Sequence, residues 1–304
     1  MTALQTTSPA QAMRYCRDLT RRRAKNFYYG LKLLPEPQRS ALYAIYAWMR
    51  RADDLADGSG DVEPEVVRAR IEAYRRATIA VFDGHEIGDD PVLISLREVA
   101  REYPVRLEHF DAMLDGQLDD LAHHRYETFD DLRDYCYRVA STVGLICITI
   151  WGYHDERAET LAIDRGIAFQ LTNVLRDFSE DYDVGRVYLP AEDFARHGLD
   201  AAVLRRWADR PSCRQFVLAQ VQRAESYYEQ SQPLDDVIDS ACLPTLWAMT
   251  AIYRGLLAKM RRDPQQIVTG PRIRLTGAQK GLIALRARWR ARGRGPRPGR
   301  SDLG

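Results

Sequence analysis

Two stretches of this chain repeat carboxylates at helical spacing, and that repetition limits what the rest can build. Gln170, Asn173, Asp177 and Asp181 stand at i, i+3, i+7 and i+11 in QLTNVLRDFSEDYDVGRVYLP. On an α-helix this spacing sets four oxygen-bearing side chains along one face. Asp177 and Asp181 are one turn apart, so their charges repel unless a cation lies between them. Arg176 flanks them, Glu180 lies between them, and Leu171, Val174, Leu175 and Phe178 are left to pack the other sides. The segment YAWMRRADDLAD repeats the device with Tyr46, Arg50, Asp53 and Asp57, and Asp54 falls off that face by about 100° of rotation. One acidic pair on a helix is common at a solvated surface. Two such pairs in strongly apolar contexts point to a shared site, and neutralising one member of either pair should spare stability.

The remaining sequence reads as helix throughout. Helical segments are expected from Pro9 through Leu34, from Gln38 to Asp57, over 65–82 and 92–102, and from Pro104 through Leu121. Others follow from Glu127 to Trp151, from Thr160 to Asp183, over 191–199 and 200–208, from Pro211, over 235–260 with a break at Pro244, and from Thr276 through Ala287. No alternating strand pattern persists, and no glycine-rich nucleotide loop occurs. The expected fold is all-α, a single-domain helical bundle over residues 1–290, with an Arg-, Gly- and Pro-rich disordered tail over 291–304.

Composition excludes several classes. With 45 % hydrophobic and 29 % charged residues and a net charge of +1, the chain is not a bulk nucleic-acid binder. Its five cysteines contain no CxxC pair and its six histidines form no metal spacing, so reduced core thiols and surface imidazoles (His123 and His124 among them) are expected. The N-terminus lacks a charged start followed by an apolar run. The longest apolar run, Val139 to Trp151, is too short and interrupted to span a bilayer. A cytoplasmic protein is therefore expected. Asp115 and Asp119 form another i,i+4 pair, but no neighbouring arginine supports them in sequence, and they read as surface.

Two facing acidic pairs make a cage of hard oxygen ligands, which suits Mg²⁺ with Mn²⁺ as a substitute, and such ions hold diphosphates. Arg50, Arg176, Lys25 and Arg274 can cancel remaining charge. The basic run Arg21, Arg22, Arg23 and Lys25 passes directly into Phe27, Tyr28 and Tyr29, a blend that suits an anionic head on an apolar tail. An allylic diphosphate that ionises leaves a carbocation, which needs a dry apolar cavity. Tyr46, Tyr253, Phe27 and Tyr29 can offer ring faces to it. Ser141, Gly144 and their small neighbours would admit either another helix or a hydrocarbon ligand.

These motifs resemble the squalene/phytoene synthase family, over roughly residues 12–290. YAWMRRADDLAD is similar to the family's first aspartate-rich motif, QLTNVLRDFSEDYDVGRVYLP to its second, and YCYRVASTVG to a segment between them. The resemblance implies that Asp53 and Asp57 bind Mg²⁺ from one side and Asp177 and Asp181 from the other, with Asn173 assisting. It implies that Arg50 and Arg176 orient diphosphates and that Tyr46 and Tyr253 place hydroxyls near the reacting carbons and the leaving group. Gln170 would line the cavity, and Val139 and Val143 the prenyl channel. The sequence departs from the family at Arg23, Ala24, Asn26, Ser141 and Ser179, none of them a metal ligand.

The implied reaction is a head-to-head condensation of two prenyl diphosphates. The bulk of Val139, Val143, Leu145 and Ile146 favours two farnesyl diphosphates and presqualene diphosphate, with NADPH required only if squalene is the product. The alternatives are phytoene from geranylgeranyl diphosphate, dehydrosqualene, and an inactive helical assembly factor. A head-to-tail synthase or a cyclase is disfavoured by GRVYLP. The expected partners are the prenyl diphosphate and a transient peripheral contact with the inner membrane for product release, with no nucleic acid, in a monomer or homodimer.

Overall fold

The structure, a computed structural model, describes residues 7–24, 27–56, 63–122 and 125–292. Helix α1 (Pro9–Arg23) starts at a capping box in which Ser8 and Gln11 satisfy each other's backbone amides. It ends at Ala24, and a separate short helix α2 (Phe27–Leu31) follows, so the single long helix expected here is two. Next come α3 (Gln38–Ala56), α4 (Pro64–Phe82), α5 (Pro91–Glu102) and α6 (Leu107–Ala122). Asp90 caps α5 through the Val92 and Leu93 amides.

Helix α7 (Phe129–Cys136) runs through a π-helical turn (Tyr137–Ser141) into α8 (Thr142–Trp151). Gly152, with φ of 84°, stops it. The 27-residue α9 (Arg157–Asp183) is the longest element. Then follow α10 (Ala191–Arg196), α11 (Ala201–Arg206), α12 (Arg210–Gln230), α13 (Leu234–Val237), α14 (Leu243–Arg262), a 3₁₀ turn (Pro264–Ile267) and α15 (Gly277–Arg292). The break expected at Pro244 falls just before it, over 238–242, and Pro244 lies in the first turn of α14, where its missing N–H costs nothing. Helix α15 continues past Ala287 into the stretch expected to be a loose tail; residues from 293 onward lie outside the described residues. No strand occurs among the described residues, only isolated bridges at Arg125–Val187 and Tyr153–Ile238.

The buried apolar residues form two lobes. One gathers Trp48, Ile71, Leu96, Phe110 and Ile146 from α3–α6 and α8. The other gathers Leu175, Phe178, Phe216, Val221 and Leu256 from α9, α12 and α14. Helices α8 and α9 join the lobes by close approach. Ser141 donates a 2.8 Å hydrogen bond to the Ile163 carbonyl, and a Cβ on Gly166 would lie 2.5 Å from Ser141 Cα. The small residues around Ser141 and Gly144 therefore receive a helix. Arg165, buried in α9, donates to both Oγ and the carbonyl of Ser231 at 2.8 Å and so fixes α9 to the end of α12.

Candidate active site

Apolar packing sets the rotation of α3. Trp48 stacks on Tyr74 at 5.4 Å, meets Phe110 edge-on at 4.9 Å and donates its indole N–H to Thr78 at 2.9 Å. With that side buried, Tyr46, Arg50 and Asp53 keep partial exposure on the other. Asp53 accepts a 3.0 Å hydrogen bond from Gln117 of α6, a partner that no local spacing suggests. Burial pushes the Tyr46 phenol up. Arg50 pairs with Asp54 one turn on, and Arg23 reaches the same carboxylate at 3.4 Å. Asp54, set apart from the site by rotation alone, is thus tied to the site's arginine by an i,i+4 ion pair. Asp57 and Lys25 lie outside the described residues, as do His123, His124 and the side chain of Phe27.

Leu171, Val174, Leu175 and Phe178 are buried and orient α9, leaving Gln170, Asn173, Asp177 and Asp181 half-buried along one side. Asn173 donates to Gln170 at 3.1 Å, while its own Oδ1 is buried without a hydrogen-bond partner. Asp177 is gripped twice. Arg176 holds its two oxygens at 2.7 and 2.5 Å, and Arg272, from the segment before α15, holds them at 2.6 Å each. Burial alone would raise this carboxyl; the two guanidinium groups overcome burial and hold it below the usual carboxylate value. Asp181 has no such grip. Burial, then the charge of Asp177, pushes it up to about 7, with Arg186 opposing. The cations expected to relieve this pair are, at Asp177, two arginines, whereas Asp181 is raised by burial and by the charge of Asp177.

Tyr253 of α14 is buried, stacks on Phe169 of α9 at 4.5 Å and lies beside Asn173 and Arg176. Burial raises its phenol. Arg272, two positions before the expected Arg274, is the second cation that reaches Asp177. Arg274 lines, with Lys259, Arg272 and Glu180, an adjoining cleft of about 760 Å³, and its carbonyl accepts from Lys259 Nζ at 2.6 Å. Val139 and Val143 are half-buried in the middle of the π–α8 run, Val139 so close to α6 that a Cβ on Gly116 would lie 2.6 Å from its Cγ1. Cys147, one turn beyond Val143, is enclosed by protein, its thiol pushed up to about 12, yet it keeps accessible surface.

Asp120 was unassigned by sequence. It accepts 3.0 Å hydrogen bonds from both Tyr135 and Tyr188, and burial pushes its carboxyl up. Tyr135 stacks on Tyr188 at 5.2 Å. This anchor explains GRVYLP. Gly185, with φ of 84°, turns the chain, the Arg186 amide donates to the Asp181 carbonyl at 2.8 Å, and Tyr188 docks on Asp120. Arg186 is thereby set between Asp120 and Asp181. Asp115 and Asp119 do have arginine partners, contrary to the sequence reading: Arg75 at 2.6 Å and Arg138. Those arginines come from α4 and the π turn, which no local spacing reveals.

Among the described residues no three carboxylate, imidazole or thiolate side chains gather around one point. The donors on α9 nevertheless fit a divalent cation. An orphaned buried amide oxygen at Asn173 and a carboxyl at Asp181 raised by burial and by the neighbouring Asp177 are hard oxygen donors that a cation would satisfy.

The squalene/phytoene synthase profile matches residues 20–279. The chain is 36 % identical to a phytoene synthase of Mycobacterium tuberculosis over 288 residues, covering 92 % of each. It is 36 % identical to a 15-cis-phytoene synthase of Synechococcus elongatus over 264 residues, covering 82 % of this chain and 84 % of that one. Among solved structures, a dehydrosqualene synthase in complex with ligand superposes with a TM-score of 0.81 at 27 % identity, covering 94 % of this chain and 98 % of that one.

Proposed function

The chain belongs to the squalene/phytoene synthase family, and we propose that within it the chain joins two C20 geranylgeranyl diphosphates to phytoene. Membership implies the family's head-to-head prenyl condensation. The C20 substrate rests on one observation: the relatives matched at 36 % identity over 92 % of both chains are named phytoene synthases. They favour C20 over the C15 substrate that the bulk of Val139 and Val143 suggested.

In this reading α3 and α9 present their acidic faces to the two diphosphates. Mg²⁺, which the family uses, supplies charge neutralisation of the leaving diphosphate when bound. Asp53 and Asp57 would hold it on one side, and Asn173, Asp177 and Asp181 on the other. Arg50, Arg176, Arg272, Arg274 and Lys25 take the remaining phosphate charge, with arginine suited to a bidentate grip. Tyr253 stands beside Arg176, where its hydroxyl can donate to departing oxygens. The C–O bond breaks with its electron pair on the diphosphate, and the allylic cation is attacked by the double bond of the second substrate. Tyr46 and the ring faces nearby steady the cation. Gln170, Val139 and Val143 line the space around the reacting carbons and keep water out. The new tertiary cation gives up a proton to the released diphosphate as it closes to a cyclopropylcarbinyl diphosphate, which ionises in turn with its electron pair on the second diphosphate, rearranges and loses a second proton, so no NADPH is consumed. No helix among the described residues is long and apolar enough to cross a membrane, and the hydrocarbon product is released at a membrane surface.

The similarity to a dehydrosqualene synthase structure favours a second reading, C15 substrate and C30 product. Incubating the protein with farnesyl or geranylgeranyl diphosphate and Mg²⁺, with and without NADPH, separates the two by product mass. Phytoene from the C20 substrate, indifferent to NADPH, is expected. A C30 product with little C20 turnover would replace the first reading by the second, and consumption of isopentenyl diphosphate would overturn both.

A further inference from the structure

We propose that the outer face of α15 is a docking surface for an anionic lipid bilayer. Large apolar side chains are rarely exposed elsewhere on the described surface, yet α15 exposes Leu282 at 47 %, Leu285 at 66 % and Trp289 at 77 %. At i, i+3 and i+7 they form one stripe, within about 60° of the helix circumference. The opposite side of the same helix is occupied: Ala287 is buried, Ile283 and Ala291 pack on the core, and Arg290 lies over the Trp247 ring at 4.2 Å. The helix is therefore apolar on two sides, and packing among the described residues uses one of them.

The outer stripe is bordered by charge of a single sign. On the helical wheel Arg288 falls to one side of it and Arg286 to the other. Residues 277–292 contain Lys280 and four arginines and no carboxylate, in a chain whose net charge is +1, so the remainder is net negative. An apolar ridge of Leu and Trp between arginine rims is the arrangement that lies in the headgroup boundary of an anionic bilayer: the ridge enters the acyl edge and the guanidinium groups meet lipid phosphates. A nucleic acid would use the arginines and leave the ridge in water. A second copy of the chain would set like-charged rims against each other. The location suits the chemistry, because α15 follows directly on the segment whose Arg272 grips Asp177.

This surface deepens the reading of a hydrocarbon-forming enzyme and rests on it for its purpose, but vesicle binding is measured without turnover, so the two fail separately. The test is co-sedimentation of the full chain with phosphatidylcholine vesicles and with vesicles rich in phosphatidylglycerol. Binding to the anionic vesicles alone is expected, lost at high salt, and weakened at least about tenfold in Leu285→Glu/Trp289→Glu, since burial of both side chains is forfeited. That variant alters two exposed positions, so its thermal unfolding and its turnover of detergent-dispersed substrate should match the parent. An Arg286→Glu/Arg288→Glu variant should likewise lose anionic vesicles. Equal binding to both vesicle types, no binding to either, or undiminished binding by the Leu285→Glu/Trp289→Glu variant would overturn the proposal. So would a parental dimer that this variant splits without any effect on vesicles, or arginine-dependent binding of single-stranded RNA in place of vesicles.

Discussion

Asp177 and Asp181 sit one turn apart on α9, yet one carboxyl is held below its ordinary value and the other is raised to about 7. Repulsion within the pair is real, but its effect is unequal because Arg176 and Arg272 both hold Asp177. Asp177→Asn should therefore destabilise the metal-free protein by about 3 kcal/mol, since it strands the largely buried guanidinium of Arg176. Its cost should be non-additive with Arg272→Gln by about 1 kcal/mol in a double-mutant cycle read by urea unfolding. Asp181→Asn should be neutral or stabilising. The pH dependence has a fixed sign. An unfolded aspartate releases its proton near 3.8, whereas folded Asp181 keeps it to about 7. The folded state thus binds more protons in that window, and stability from this group is lost as pH rises through it. Parental stability minus that of Asp181→Asn, measured without Mg²⁺, should fall from pH 4 to pH 7 and then level off; a difference that rises with pH would show that the pair is compensated in some other way.

At the scale of elements, the crossing of α9 with the π turn and α8 holds the two lobes together. It depends on absent side chains. A methyl group on Gly166 would meet backbone atoms of Ser141 at 2.5 and 2.7 Å, and backbone cannot swing aside as a side chain can. Gly166→Ala should cost about 3 kcal/mol or more in thermal or urea unfolding. Gly144→Ala should cost less, because its methyl would approach one carbonyl oxygen, of Ala162, at 3.1 Å. Equal costs at the two positions would mean that the helices separate freely. The same crossing fixes Asn173, Asp177 and Asp181 relative to Val139 and Val143, so a loosened crossing should depress turnover before it unfolds the protein.

For the whole molecule, the open quantity is the length of the space between the acidic faces and the far end of the bundle. Val143 is half-buried, and Cys147 one turn further along α8 also keeps accessible surface. Val143→Phe should shorten that space and lower turnover of the C20 substrate relative to the C15 one by about tenfold, read as the ratio of kcat/KM values with both substrates. An unchanged ratio would place the prenyl chain along another wall.

Much of the fold was legible because its signals are local. A helix repeats every 3.6 residues, so apolar spacing revealed α3, α6 and α9, and cap chemistry marked the start of α1 at Ser8 and Pro9. The same periodicity placed Asp53 with Arg50, and Asn173 with Asp177 and Asp181, on common faces. What sequence alone left open is what lies opposite each face. The second grip on Asp177 comes from a residue 95 positions away, Tyr188 reaches Asp120 across 68 positions, and Gln117 reaches Asp53 across 64. No spacing encodes such contacts, because they depend on how packed helices cross and how loops return. Charge balance within an acidic pair, the choice of helix over ligand as the neighbour of Ser141, and the apolar face of α15 left outside were therefore decided only when the helices packed.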